Sequence, residues 1–211
     1  MVVNGTPAFM PHDLLWGLAP CALPVDVPAW ALDVVGRGHP VVVRRQRLAH
    51  GLIAVGVRGP AREQRYATHM AKACVQRRVV PEELIGVQSS GVQWPALRAL
   101  QEISPLMNTL GLRWGVTGSA GFELASGVAA LHSHSDLDLI LRTPCFVERH
   151  WAAELVDALD GACCRIDVQL QVPAGAIALR EWARADAKVL LKTSESAVLV
   201  SDPWQMQEAC A

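Results

Sequence analysis

No stretch of this 211-residue chain is apolar for long enough to cross a bilayer as a helix. The N-terminus puts no positive charge ahead of an apolar run, the first basic residue being Arg37, so a signal peptide is not expected. The six cysteines (Cys21, Cys74, Cys145, Cys163, Cys164 and Cys210) include no CxxC pair. Cys163 and Cys164 are chain neighbours, a poor geometry for bridging each other. Reduced thiols in a cytoplasmic protein are the expectation. Excess positive charge is missing too: 19 lysines and arginines face 20 acidic residues, a formal charge of −1. Without a broad basic field nucleic acid is not an expected partner, and without a spanning stretch neither is a membrane. Internal repeats and low-complexity segments are absent. Apolar residues are plentiful, at 51%, enough core material for one large domain or two small ones.

The two parts of the chain read differently, with a boundary zone from Pro81 to the polar stretch Gln88-Ser89-Ser90-Gly91. Residues 1–90 form an accessory domain rich in proline and valine, with short apolar runs at Val41–Val43 and Leu52–Val55. Between Pro60 and Arg78 a helix carrying Arg62, Arg65, Lys72, Arg77 and Arg78 is expected. Residues 91–211 alternate helix and strand, an α/β (α+β) domain built on a small mixed sheet. Leu97, Leu100, Ile103, Leu106 and Leu110 recur at helical spacing until Gly111 stops the helix. A short strand at 113–117 and a short helix from Ser119 to Ala125 follow, then a polar loop, His132-Ser133-His134-Ser135, and a strand from Asp136 to Arg142. A helix is expected between Pro144, in its first turn, and Gly161. Residues 164–172 alternate: Arg165, Asp167, Gln169 and Gln171 on one face, Ile166, Val168, Leu170 and Val172 on the other. A helix around 176–185 and strands at 188–192 and 197–200 complete the reading.

The chemistry gathers on Gly118-Ser119, Asp136-Leu137-Asp138 and Asp167. Side chains alternate along a strand, so Asp136 and Asp138 share a face roughly 7 Å apart. Such a pair can hold Mg²⁺, which takes a few carboxylates together with substrate phosphate oxygens. Asp167, on a neighbouring strand, is a third metal ligand or a base for the attacking hydroxyl. Gly118 and Ser119 stand where a strand turns into a helix, so backbone N–H groups and a hydroxyl can meet a phosphate. Each piece alone is commonplace, a turn or a solvated strand edge. Together, in this order, they point to nucleotidyl transfer.

The pattern resembles the nucleotidyltransferase superfamily typified by DNA polymerase β, although the spacing from Ser119 to Asp136 (136 − 119 = 17) is somewhat long. A closer resemblance, to the malonate decarboxylase holo-acyl-carrier-protein synthase family, is carried by longer strings. These are Pro11-His12-Asp13-Leu14-Leu15-Trp16, Val57-Arg58-Gly59 with Arg62 and Arg65, Trp114 through Ala125, and Ser135 through Leu139. That resemblance implies a specific reaction. A serine of the apo acyl carrier subunit of malonate decarboxylase attacks the α-phosphorus of 2′-(5″-triphosphoribosyl)-3′-dephospho-CoA, and pyrophosphate leaves. Asp136, Asp138 and Asp167 would be the catalytic and metal-binding residues. Gly118, Ser119, Arg142, Arg58 and Lys192 would bind substrate phosphates, with Arg62, Arg65 and Lys188 as further cations.

Other readings compete. His132-Ser133-His134-Ser135-Asp136 matches the His-x-His-x-Asp run of metallo-β-lactamase-type hydrolases, but Leu137 stands where that family continues with histidine. An adenylyltransferase acting on another small-molecule or protein hydroxyl would carry the same carboxylate face. A non-catalytic binding module would be expected to have lost one of the three aspartates. His12-Asp13 reads as a structural hydrogen-bonded pair ahead of a catalytic one, and the seven tryptophans mostly as core, with one stacked on the dephospho-CoA adenine as the alternative.

Overall fold

The computed structural model describes residues 8–87, 92–184 and 188–205. The chain divides into two compact units, Met1–Val80 and Pro81–Ala211. This divide falls before Pro81, earlier than the 90/91 division expected from composition. The polar stretch 88–91 lies outside the described residues.

In the first unit the strands β1 (Leu14–Trp16), β2 (Val41–Val43), β3 (Leu52–Arg58), β4 (Arg65–Ala71) and β5 (Arg77–Val79) form one antiparallel sheet in the order β4-β3-β2-β1-β5. One face carries Leu15, Val41, Val55 and Val57, which pack with Ala31, Val34 and Val35 of helix α1 (Ala29–Gly36). Each such aliphatic side chain stabilises the unit by about 1.5–3 kcal/mol when fully buried.

The helix expected between Pro60 and Arg78 is not formed. Arg65–Ala71 instead pairs residue for residue with β3, from Arg58↔Arg65 to Leu52↔Ala71, and the turn closes through Gly59 N–H donating to the Gln64 carbonyl. Period-two burial with a long partner strand outweighed the run of arginines, which local propensity alone would accept in a helix. Asp13 is fully buried; its carboxylate accepts hydrogen bonds from the Met10 amide (2.8 Å) and the Arg78 guanidinium (2.6 Å). Such bonding fits a structural role for Asp13.

The second unit begins with a 3₁₀ turn, Pro81–Leu84, and contains α2 (Pro95–Thr109), β6 (Trp114–Val116), α3 (Gly118–Ser126), β7 (Leu137–Arg142), α4 (Arg149–Leu159), β8 (Ile166–Val172), β9 (Gly175–Ala178), α5 (Leu179–Trp182), β10 (Val189–Lys192) and β11 (Ala197–Val200). Its six-stranded sheet runs β11-β10-β9-β8-β7-β6, and only the β7–β8 pair is parallel. That pair needs a crossover, which α4 supplies. Strand β8 alternates buried and half-buried residues along its whole length, as its sequence requires.

Two local expectations differ from the structure. Helix α4 starts at Arg149, so Pro144 sits in the preceding loop rather than a first helical turn. The segment around 176–185 is half strand: Gly175–Ala178 folds back on β8 as a hairpin, Val172↔Gly175 through Gln169↔Ala178, before the single turn of α5. A β-carbon on Gly175 would lie 2.3 Å from the Lys192 carbonyl oxygen, so glycine permits the close approach of β10.

Candidate active site

Three carboxylates meet at the N-terminal ends of the two parallel strands. Asp136 immediately precedes β7, Asp138 is its second residue, and the parallel register sets Asp138 directly opposite Asp167 on β8. One oxygen from each lies within 4.8 Å of the other two, and all three side chains are half-buried. Like charges directly opposite in a sheet destabilise it by a few tenths to about 1 kcal/mol. The repulsion is borne in a place where a cation would reverse its sign.

The third side of the cluster is backbone. Strand β6 ends beside β7, the Thr117 amide donates to the Asp138 carbonyl (2.9 Å), and the chain then turns into α3 at Gly118 with φ +61°. A β-carbon on Gly118 would sit 1.9 Å from Asp138 Oδ2 and 2.6 Å from its Cγ. Glycine is therefore required twice, for the left-handed backbone and for room beside the carboxylate. Ser119 occupies the first turn of α3.

The loop before Asp136 is braced from α3. The Glu123 carboxylate accepts the Ala130 and Leu131 amides (2.7 and 2.8 Å), and the buried Ser135 hydroxyl accepts the His132 amide (3.0 Å). His132 and His134 are exposed and bonded within their own turn, the His134 amide donating to His132 Nδ1. Among the described residues no metal-competent cluster includes either histidine.

Two arginines approach the cluster that sequence reasoning did not single out. Arg165 Nε donates to Asp167 Oδ1 (2.9 Å), across the two-residue step that keeps both on one strand face. That spacing was legible as a shared polar face, but the pairing was not. Arg180, from α5, bonds Asp160 and reaches the Ile166 carbonyl at 3.4 Å. Its hydrogen bond to Asp160, opposed by burial and aided by the charges of Asp160 and Asp167, pushes its pKa above the ordinary arginine value. No local pattern announces Arg180, because a 14-residue separation and a hairpin bring it there.

The structure does not bring Arg142 or Lys192 to the carboxylates. The row Arg142–Gln171–Ala176–Lys192 crosses the sheet four residues beyond the row Asp138–Asp167, or about 13 Å along the strands. Arg142 is nine-tenths buried and bonds Glu82 through Nε at 2.9 Å, tying the Pro81–Leu84 turn to β7. Burial pushes the Glu82 carboxyl up, but the Arg142 hydrogen bond, a backbone hydrogen bond and the charges of Arg142 and Arg113 together outweigh it and hold the group below the ordinary carboxylate range. Arg58 ends β3 in the first unit. Cys164, close behind Asp136, has its thiol pushed up chiefly by burial.

Family models match both units: the phosphoribosyl-dephospho-CoA transferase MdcG N-terminal domain over residues 10–81 and its C-terminal domain over residues 83–203. The chain belongs to the phosphoribosyl-dephospho-CoA transferase family. It is, accordingly, a transferase. Curated phosphoribosyl-dephospho-CoA transferases similar to it include one from Pseudomonas syringae pv. tomato, 60% identical over 203 residues that cover 96% of each chain. Another, from Pseudomonas fluorescens, is 57% identical over 99% of this chain and 100% of its own length. A third, from Pseudomonas aeruginosa, is 51% identical over 94% and 95%. No solved structure matches. In the terms of this transferase family, the carboxylate cluster, Gly118 and both flanking arginines all lie within the C-terminal domain match.

Proposed function

We propose that the chain transfers the phosphoribosyl-dephospho-CoA group from 2′-(5″-triphosphoribosyl)-3′-dephospho-CoA to a serine of the apo acyl carrier subunit of malonate decarboxylase. The serine oxygen bonds to the α-phosphorus, the bond from that phosphorus to the pyrophosphate oxygen breaks, and the serine proton passes to solvent water. The observation that carries this reading is the convergence of Asp136, Asp138 and Asp167 beside Gly118 in a chain of this transferase family.

The donor set fits Mg²⁺: all-oxygen ligands, spaced so that a small closure brings them to the roughly 3–4 Å separations of an octahedral shell. When bound, Mg²⁺ would neutralise charge on the phosphates. Asp136, Asp138 and Asp167 would hold it there, and Gly118 keeps the Asp138 carboxylate free of steric pressure. The α3 N-terminus, with Gly118 and Ser119 in its first turn, would offer backbone N–H groups to phosphate oxygens. Arg165 and Arg180, which lie nearer the carboxylates than Arg142 and Lys192, would supply positive charge to the departing pyrophosphate. In-line displacement at phosphorus asks mainly for such positioning and neutralisation. The same strand order supports reading the site as nucleotidyltransferase-type. The free cysteines Cys21, Cys74, Cys145, Cys163 and Cys164 suit a reducing, cytoplasmic setting.

The test is incubation of the purified chain with apo carrier subunit, the triphosphoribosyl precursor and Mg²⁺. A mass increase on the carrier serine, with release of pyrophosphate, is expected. Labelled ATP in place of the precursor should leave the carrier unlabelled; labelling would favour an adenylyltransferase.

A further inference from the structure

Asp138 and Asp167 form one row across the sheet, and the next side chains on the same face form a second. Two residues on, roughly 7 Å along the strands, the register aligns Gly115, Ile140, Gln169 and Ala178. Side chains alternate along each strand, so this row faces the same way as the carboxylates. Its β6 end is closed. A β-carbon on Gly115 would lie 2.3 Å from the Pro81 carbonyl carbon, so the Pro81–Leu84 turn rests directly on it, and Ile140 is fully buried. Gln169 is half-buried and Ala178 exposed, so the row opens to solvent toward β9.

The two rows differ in chemistry. Cations stand beside the carboxylates: Arg165 bonds Asp167, and Arg180 reaches the Ile166 carbonyl at the start of β8. The second row carries no charge, and Gln169 is its one polar side chain. A third row, two residues further on, is engaged in internal bonds. Arg142 pairs with Glu82, and the Gln171 amide donates to the Val172 and Gly175 carbonyls (3.3 and 2.8 Å). Gln171 thus fastens the β8–β9 hairpin, whereas among the described residues none hydrogen-bonds the Gln169 amide. Nor is Gln169 on an open strand edge, since β8 lies between β7 and β9.

We propose that Gln169 recognises the ribosyl unit of the donor by hydrogen-bonding its 2″ or 3″ hydroxyl; this rests on the function proposed above. In that donor the reacting phosphorus is joined to the ribose through the 5″ oxygen, and the ribose to the adenosine through C1″. Those two hydroxyls are left free. The pyrophosphate side of the phosphorus calls for cations and the sugar side does not. Arg165 and Arg180 flank the first row, so the charged end belongs there and the neutral sugar belongs over the uncharged second row. A hydroxyl both donates and accepts, and a carboxamide offers both functions on one side chain. A site built to bond a hydroxyl discriminates against an analogue that lacks it, because its own polar group is then left unpaired. Gln169 would touch the donor away from the reacting atoms, so it governs donor choice and affinity.

Calorimetric titration of the full chain with Mg²⁺ and no carrier subunit measures donor binding apart from transfer. Wild type should bind the triphosphoribosyl donor about tenfold more tightly than its 2″-deoxy or its 3″-deoxy analogue. Gln169→Leu should bind the donor about tenfold more weakly than wild type does, yet bind that analogue within twofold of wild type. Its Mn²⁺ affinity should be that of wild type. Equal wild-type affinity for the donor and both analogues overturns the proposal without any variant. So does a Gln169→Leu chain that discriminates as wild type does, or one that loses Mn²⁺ affinity together with donor affinity. Failure of the wild type to modify the carrier serine would instead overturn the acceptor proposed above, and these titrations would still decide the role of Gln169.

Discussion

Replacing Gly118 with alanine isolates the contact on which the carboxylate cluster depends. The new β-carbon would lie 1.9 Å from Asp138 Oδ2 and 2.7 Å from Asp138 Cβ. Ordinary contact needs the carboxylate oxygen to retreat by roughly 1.5 Å. The backbone of Asp138 cannot follow, because its carbonyl accepts the Thr117 amide and its register with Asp167 is set by the parallel ladder. The side chain must therefore rotate out of the cluster. Misplacement of a reacting or binding group by about 1 Å costs on the order of 100-fold in rate, or about 2.7 kcal/mol. The left-handed backbone adds about 1–2 kcal/mol of strain to the folded state. Gly127→Ala is the control: φ is +71°, but nothing lies within 4 Å of the added methyl. Both variants should lose about 1 kcal/mol or more in denaturant titration, while only Gly118→Ala should lose transfer activity and Mn²⁺ affinity measured by calorimetry. Near-normal Mn²⁺ binding and turnover in folded Gly118→Ala would refute the role given to Asp138.

Asp136→Ala and Asp138→Ala should abolish transfer while leaving the urea midpoint unchanged or raised, since each relieves repulsion worth up to about 1 kcal/mol; near-normal turnover in either would remove the metal assignment. Asp167→Asn should weaken Mn²⁺ binding less than Asp138→Ala, because Asp167 is already shared with Arg165. Arg165→Ala should tighten Mn²⁺ binding to the free chain by freeing that oxygen, yet raise the precursor KM; unchanged values of both would make the arginine a bystander. Glu82→Gln should cost about 2–4 kcal/mol near neutral pH by leaving Arg142 buried without its counter-charge. The Glu82 pKa is depressed on folding, so its stabilisation is present above the unfolded carboxyl value of about 4.3 and is lost as pH falls through the lower folded value. Denaturant titrations of wild type and variant should therefore converge in acid, and a difference independent of pH would contradict the pairing.

Local periodicity was enough to put Asp136 and Asp138 on one face and Asp167 on the polar face of its strand. A strand reverses its side chains every residue wherever it lies in a fold, so that much travels with the sequence. The long strings around Gly118 and Asp136 likewise identified the family. Which carboxylate stands opposite which was decided by the parallel register of β7 and β8, created by a helix crossover and not by any local pattern. Register also separated Arg142 and Lys192 from the site: their charge suggested a phosphate contact, but their distance along the strands is a tertiary quantity. Between Pro60 and Arg78 the arginines suit either helix or strand, and the choice fell to pairing with β3, which lies earlier in the chain and satisfies every backbone group along one edge. Glycine at 118 was visible as permission for a tight turn. Only the folded chain shows that the space left by its missing side chain is taken by the carboxylate of Asp138.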